Sequence, residues 1–163
     1  MRRLKADAEW VRENAEREAQ YRATAAQRRL DIRPEEGPLL DELAAAGIKV
    51  GSIWDLVNAK WPYPPAIPLL SAHLHRVRHP VLREGIARAL TVPEARGEAA
   101  RIILAELQRP IDESPHSVRW ALANALTVVA DESMKDTIRE LISDDAYDDV
   151  RERLKTALQR LNT

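Results

Sequence analysis

Cysteine is absent from the 163-residue chain, which excludes disulfides, thiolate metal sites and cysteine nucleophiles. Phenylalanine is absent as well, and aromatic residues make up only 4%. That disfavours a β-sandwich, whose strands favour β-branched and aromatic side chains. Glycine is sparse, at 5 residues, and no Gly-rich phosphate loop, nucleophile elbow or Ser/His/Asp order is visible. Neither sign of charge prevails: 25 Lys and Arg stand against 26 Asp and Glu, for a net charge of -1. No global field therefore recruits nucleic acid or an anionic membrane. The longest nearly apolar run, 121–130, is too short to span a bilayer and contains Asn124. Met1-Arg2-Arg3 is basic, but no apolar h-region follows, so no signal peptide is expected and the cytoplasm is the expected location.

What is present is a soluble composition, 31% charged and 45% apolar, with Ala and Leu filling the apolar positions as close helix packing requires. It is also repetitive. Val118-Arg119-Trp120-Ala121-Leu122-Ala123-Asn124-Ala125-Leu126-Thr127 has an upstream sibling at Leu82–Thr91 and a downstream one at Val150–Gln159, at offsets of 36 (82 to 118) and 32 (118 to 150). Four slots are apolar in every copy: Leu82/Val118/Val150, Ile86/Leu122/Leu154, Ala89/Ala125/Ala157 and Leu90/Leu126/Leu158. Their spacing of 0, 4, 7 and 8 marks one buried face of a helix. A preceding helix in each unit completes a pair, with first helices expected near 66–76, 94–108 and 133–143. The second helices are expected near 80–91, 115–129 and 148–161.

Tandem helix pairs of this length, with Val/Leu-Arg opening the second helix and Ala-x-x-Ala-Leu closing it, resemble HEAT-type repeats, including the short units of phycobilin-lyase-type proteins. The resemblance covers about residues 64–163. It implies an all-α fold: a right-handed α-solenoid of about three HEAT-like helix pairs. In that family the recurring Arg, here Arg83, Arg119 and Arg151, resembles a structural residue that bonds to an acidic or backbone oxygen near the preceding turn. Asp112 or Glu113 and Asp148 or Asp149 could serve, while the first repeat lacks that acid.

Ahead of the repeats, residues 1–33 carry no Gly or Pro and read as a long helix, with nine basic and six acidic residues (+3). Leu4, Ala8, Val11 and Ala15 form only a thin stripe, so self-association through residues 1–33 is the secondary expectation. Arg33-Pro34-Glu35-Glu36-Gly37-Pro38 is expected to break that helix. Residues 34–63 then read as a helical hairpin leading into the array. Its signals are Leu39, Leu40 and Leu43, a left-handed cap at Gly47, a Ser52-Ile53-Trp54-Asp55 capping box, and Trp54 as a core anchor. Trp61-Pro62-Tyr63-Pro64-Pro65 reads as a rigid connector.

Function is expected where the siblings differ. Trp120 occupies the slot of Glu84 and Glu152, so the position points away from the core, and Trp120, Asn124 and Thr127 share one helix face. Second helices commonly line the concave side of a solenoid, where binding surfaces form, and Trp and Arg dominate interface energetics. Trp120, Asn124, Arg88, Thr127, Glu84, Glu152 and Thr156 are accordingly the expected partner-binding residues. His73, His75 and His79 are read as helix-end cations rather than metal ligands, since Pro80 ends the helix before a two-His site could form. The run from Asp144 to Asp149 is read as turn capping rather than calcium binding. Charge also varies along the array, from +3 over 76–109 to -6 over 131–149, which could steer a partner.

These observations point to a non-enzymatic scaffold or adaptor that binds another protein or peptide on its second-helix surface. No catalytic residues, cofactor, metal or membrane association are expected, and nucleic acid is disfavoured as a partner. The alternatives are a nucleic-acid-binding module resembling the HEAT-like DNA glycosylases and a lyase-type repeat protein acting on a bound cofactor.

Overall fold

The computed structural model describes the backbone of residues 2–163 and the side chains of residues 8–163. Its regular elements are all helical among the described residues: α1 (Arg2–Ala45), α2 (Ile53–Val57), α3 (Ala66–Arg76), α4 (Pro80–Ala89), α5 (Glu98–Leu107), α6 (His116–Val129), α7 (Lys135–Ser143) and α8 (Arg151–Leu161). The chain divides into two compact units, Met1–Pro34 and Glu35–Thr163. In the first, Trp10, Val11 and Tyr21 are all exposed. Leu4, which opens the expected apolar stripe, lies outside the described side chains.

The expected break at residues 33–38 does not occur, for α1 runs on to Ala45. Pro34 and Pro38 each lack the N–H that would close an intrahelical bond, at a cost of roughly 3 kcal/mol apiece. Tertiary contacts within the second unit offset it. Leu39 and Leu43 are fully buried. The Glu36 carboxylate accepts from Ser52 Oγ and Ile53 N, both at 2.8 Å. That of Glu35 accepts from the backbone of Arg78 and His79. Holding both acids and both leucines in place needs helical geometry across the prolines. Beyond Ala45 the sequence signals hold: Gly47 has φ 86°, and Ile48 N donates to Leu43 O while Gly47 N donates to Ala44 O, a Schellman closure.

Ser52 and Asp55 form the expected capping box on α2. Trp54, however, is only half-buried, and Ile53 and Leu56 take the core positions. The reason lies across the contact. Gly85 of α4 sits so close to α2 that an added Cβ would stand 2.9 Å from Ile53 Cγ2 and 3.4 Å from the Trp54 indole, so Ile53 takes the inner place and the indole covers Gly85 from the side.

Helices α2, α4, α6 and α8 pack side by side in chain order, and α3, α5 and α7 each pair with a member of that row. The four shared slots form the core between them. All twelve residues are buried except Leu158, which is half-buried on α8. The starts expected at 94, 133 and 148 are short 3-10 turns at Pro93–Ala95, Glu132–Met134 and Asp145–Val150, with the α-helices beginning after them. Gly97, at φ 91°, separates the first such turn from α5.

Candidate partner-binding surface

The geometry of the surface follows from how the second helices are locked together. Arg83 and Arg119 are almost fully buried, at 2% and 1% exposure. Arg83 Nη1 donates to Ser114 Oγ (2.9 Å) and Glu113 O (3.2 Å), and Nη2 to Glu106 Oε2 (3.0 Å). Arg119 grips Asp149 through Nε and Nη2, both at 3.0 Å, and donates to Ala146 O while its guanidinium lies 5.0 Å from the Tyr147 ring. At Arg83 and Arg119 the recurring arginine therefore reaches forward into the turn of the next pair, not back to the preceding turn as expected. The reason is that its slot faces the following helix, so the oxygens within reach belong to the next unit. Arg151 does reach back as expected, onto Ile142 O, Asp145 and Asp148 of its own turn.

These contacts also absorb most of the titratable clusters. Burial alone would raise the Glu106 carboxyl. Hydrogen bonds from His75 and Arg109 and the charges of Arg109 and Arg83 outweigh it, holding the group below its ordinary range. Asp149 shows the same balance: burial raises it, and hydrogen bonds from Arg119 and His116 bring it down. The acidic run is thus divided between a cap, Asp144 accepting from Ala146 N, and arginine partners. The histidines separate too. His79 accepts from Val81 N at the start of α4. His75 Nδ1 lies 2.8 Å from Glu106 Oε1. His73 is buried, its Nε2 3.1 Å from Glu42 Oε2 but out of line for a hydrogen bond. Among the described residues no group of three or more His, Cys, Asp or Glu is placed to hold a metal ion, and no helix is long and apolar enough to cross a membrane.

With the arginine slot consumed, the residue after it is left at the surface. Trp120 is half-buried on α6. The Arg88 guanidinium of α4 lies 5.5 Å from its ring and that of Arg153 of α8 lies 5.4 Å from it. Both distances suit cation–π attraction, worth about 0.5–1 kcal/mol each where solvent remains. Arg88 is held by Glu84 (2.8 Å). Arg153 Nη1 donates a long bond to Asn124 Oδ1 (3.4 Å). Arg88, Glu84, Trp120 and Asn124 are thus brought together. Thr127 is buried; its hydroxyl donates to Asn124 O (2.7 Å) and its carbonyl accepts from Arg160 Nη1 (2.8 Å). Glu152 is exposed and paired with Lys155, whose hydrogen bond and charge hold its carboxyl below the ordinary value. The Thr156 hydroxyl donates to Glu152 O.

Sequence reasoning missed Arg153 and Arg160. The signal for Arg153 was its slot, which holds Gly85 and Ala121 in the sibling helices, small residues that are buried there. An arginine in that slot has to extend across α6, and it does so over Trp120. No protein-family model, curated protein or solved structure matches this chain.

Proposed function

We propose that the three helix pairs form a right-handed HEAT-like solenoid that acts in the cytoplasm as a non-enzymatic scaffold, binding another protein on its second-helix face. The observation that carries this reading is the Arg88–Trp120–Arg153 cluster. Three successive second helices each contribute one large side chain of the types that dominate interfaces, and none of the three is in the core. Support also comes from the acids with lowered carboxyls: Glu106 and Asp149 are engaged by arginines that join neighbouring helices, which is a structural use.

The test is capture from the source cell on immobilised protein, with Trp120→Ala beside it. The reading predicts a protein retained by the native chain and lost by the variant while the variant remains folded. Retention by both would remove Trp120 from the interface.

Self-association through residues 1–33 rests on Trp10 and Tyr21, 61% and 78% exposed on α1. It predicts a mass in solution that rises with concentration and falls to the monomer in Trp10→Ala/Tyr21→Ala.

A further inference from the structure

The second-helix face carries more cation than it neutralises. On α8, Arg153 and Arg160 are seven residues apart, two turns along one face and about 10 Å apart at 1.5 Å per residue. Each leans onto α6, Arg153 over Trp120 and Asn124 and Arg160 to Thr127 O. Neither has a carboxylate within ion-pair distance among the described residues, in contrast to Arg83, Arg88, Arg109, Arg119 and Arg151.

Beside Arg160 lies an open cleft of about 400 Å³ between the C-terminal ends of α6 and α8. Leu126, Ala130, Ala157 and Leu161 supply its apolar wall, and Arg96 stands on its rim, donating to Val128 O and likewise without a carboxylate. Asp131 is the one acid lining the cleft, and its Oδ1 is engaged by Ser133 N.

From these observations we infer that the partner presents an acidic peptide segment. Its carboxylates meet Arg153 and Arg160, and an aliphatic side chain between or beside them seats in the cleft against Leu126 and Leu161. The inference rests on the proposed partner-binding role of this face and names the chemistry of what binds. Charge complementarity selects the occupant. Guanidinium groups spaced along one helix match carboxylates on an extended or helical peptide, each able to accept two parallel hydrogen bonds. Glu84 and Glu152 interrupt the basic surface, and that favours a short peptide with discrete carboxylates over the continuous phosphate backbone of a nucleic acid.

The experiment uses the full chain and three fluorescein-labelled probes: a Glu- and Leu-containing acidic peptide, its Lys-for-Glu counterpart, and an oligothymidylate of similar length. Binding is followed by anisotropy at low and physiological salt. The expected result is saturable binding of the acidic peptide alone, weakened by salt and weakened at least ten-fold by Arg153→Glu/Arg160→Glu, with Leu161→Ser weakening it through the cleft. Unfolding curves for both variants separate lost binding from lost structure. Equal binding of acidic and basic peptides, tighter binding of the oligothymidylate, no binding of the acidic peptide, or an unchanged affinity in the folded double variant would each overturn the inference. The broader reading is tested separately. If Trp120→Ala abolishes partner capture while Arg153→Glu/Arg160→Glu leaves it intact, the surface stands and the acidic partner does not.

Discussion

Arg119 shows how one side chain can couple a repeat to its neighbour. It is buried, it pairs with Asp149 through two nitrogens, and its guanidinium lies near the Tyr147 ring. Removing one partner of a buried pair costs about 3–5 kcal/mol. Because Asp149 keeps access to water, with a third of its side chain exposed, Arg119→Ala should fall near the lower end, about 3 kcal/mol, measured by urea unfolding. Glu106 makes a second prediction, in pH. Its native carboxyl lies below the ordinary value, so the unfolded chain takes up the proton first. The stability it contributes is complete above the ordinary carboxylate range and is lost as pH falls through the lower native value. Glu106→Gln should lower stability at neutral pH by on the order of 1–3 kcal/mol and flatten the acid limb of a stability–pH profile. The flattening is partial, since Asp149 contributes in the same direction. The recurrence of these arginines was legible as a repeat. The backward reach of Arg151 to Asp148 was legible too; the forward reach of Arg83 and Arg119 was not, because a repeat places a residue on a face without saying which neighbour lies across it.

Elements were legible where local and tertiary preferences agreed. The second helices carry four apolar slots at helical spacing, and α4, α6 and α8 lie on them. The Gly47 closure and the Ser52–Asp55 box need only neighbours in sequence, and both form. At Pro34 and Pro38 the two preferences conflict. Carboxylate bonds from Glu35 and Glu36 to segments up to 44 residues away, invisible to any local window, carry the helix through. Gly85 belongs to this scale as well. Its missing Cβ lets α4 approach α2, with Ile53 Cγ2 in the way of any methyl, and Ile53 is a stiff β-branched side chain. Overpacking of about 1–3 kcal/mol exceeds the roughly 1 kcal/mol gain in helix propensity. Gly85→Ala should therefore lower stability by about 1 kcal/mol, where the same change in an open helix raises it. A midpoint shifted upward in the unfolding curve would contradict that close approach.

Across the whole molecule, three second helices set Arg88, Trp120 and Arg153 side by side, and the repeat's own deviations mark the surface. Trp120 was visible as the odd residue in an otherwise acidic slot, and Arg88 and Asn124 joined it. Arg153 was hidden because its slot is small and buried in the sibling helices, and only the packing of α8 on α6 reveals where a long side chain there must go. Thr127 shares the helix face of Trp120 by periodicity, yet α8 covers it, with Arg160 bonded to its carbonyl. The account turns on whether Trp120 serves an interface or the fold, and unfolding of Trp120→Ala measured beside partner capture decides it. A half-buried Trp held between two guanidiniums predicts a stability loss of about 1–2 kcal/mol, below the 3–5 kcal/mol of a fully buried aromatic, with capture abolished. A loss of 3–5 kcal/mol with capture by the folded fraction unchanged would contradict it.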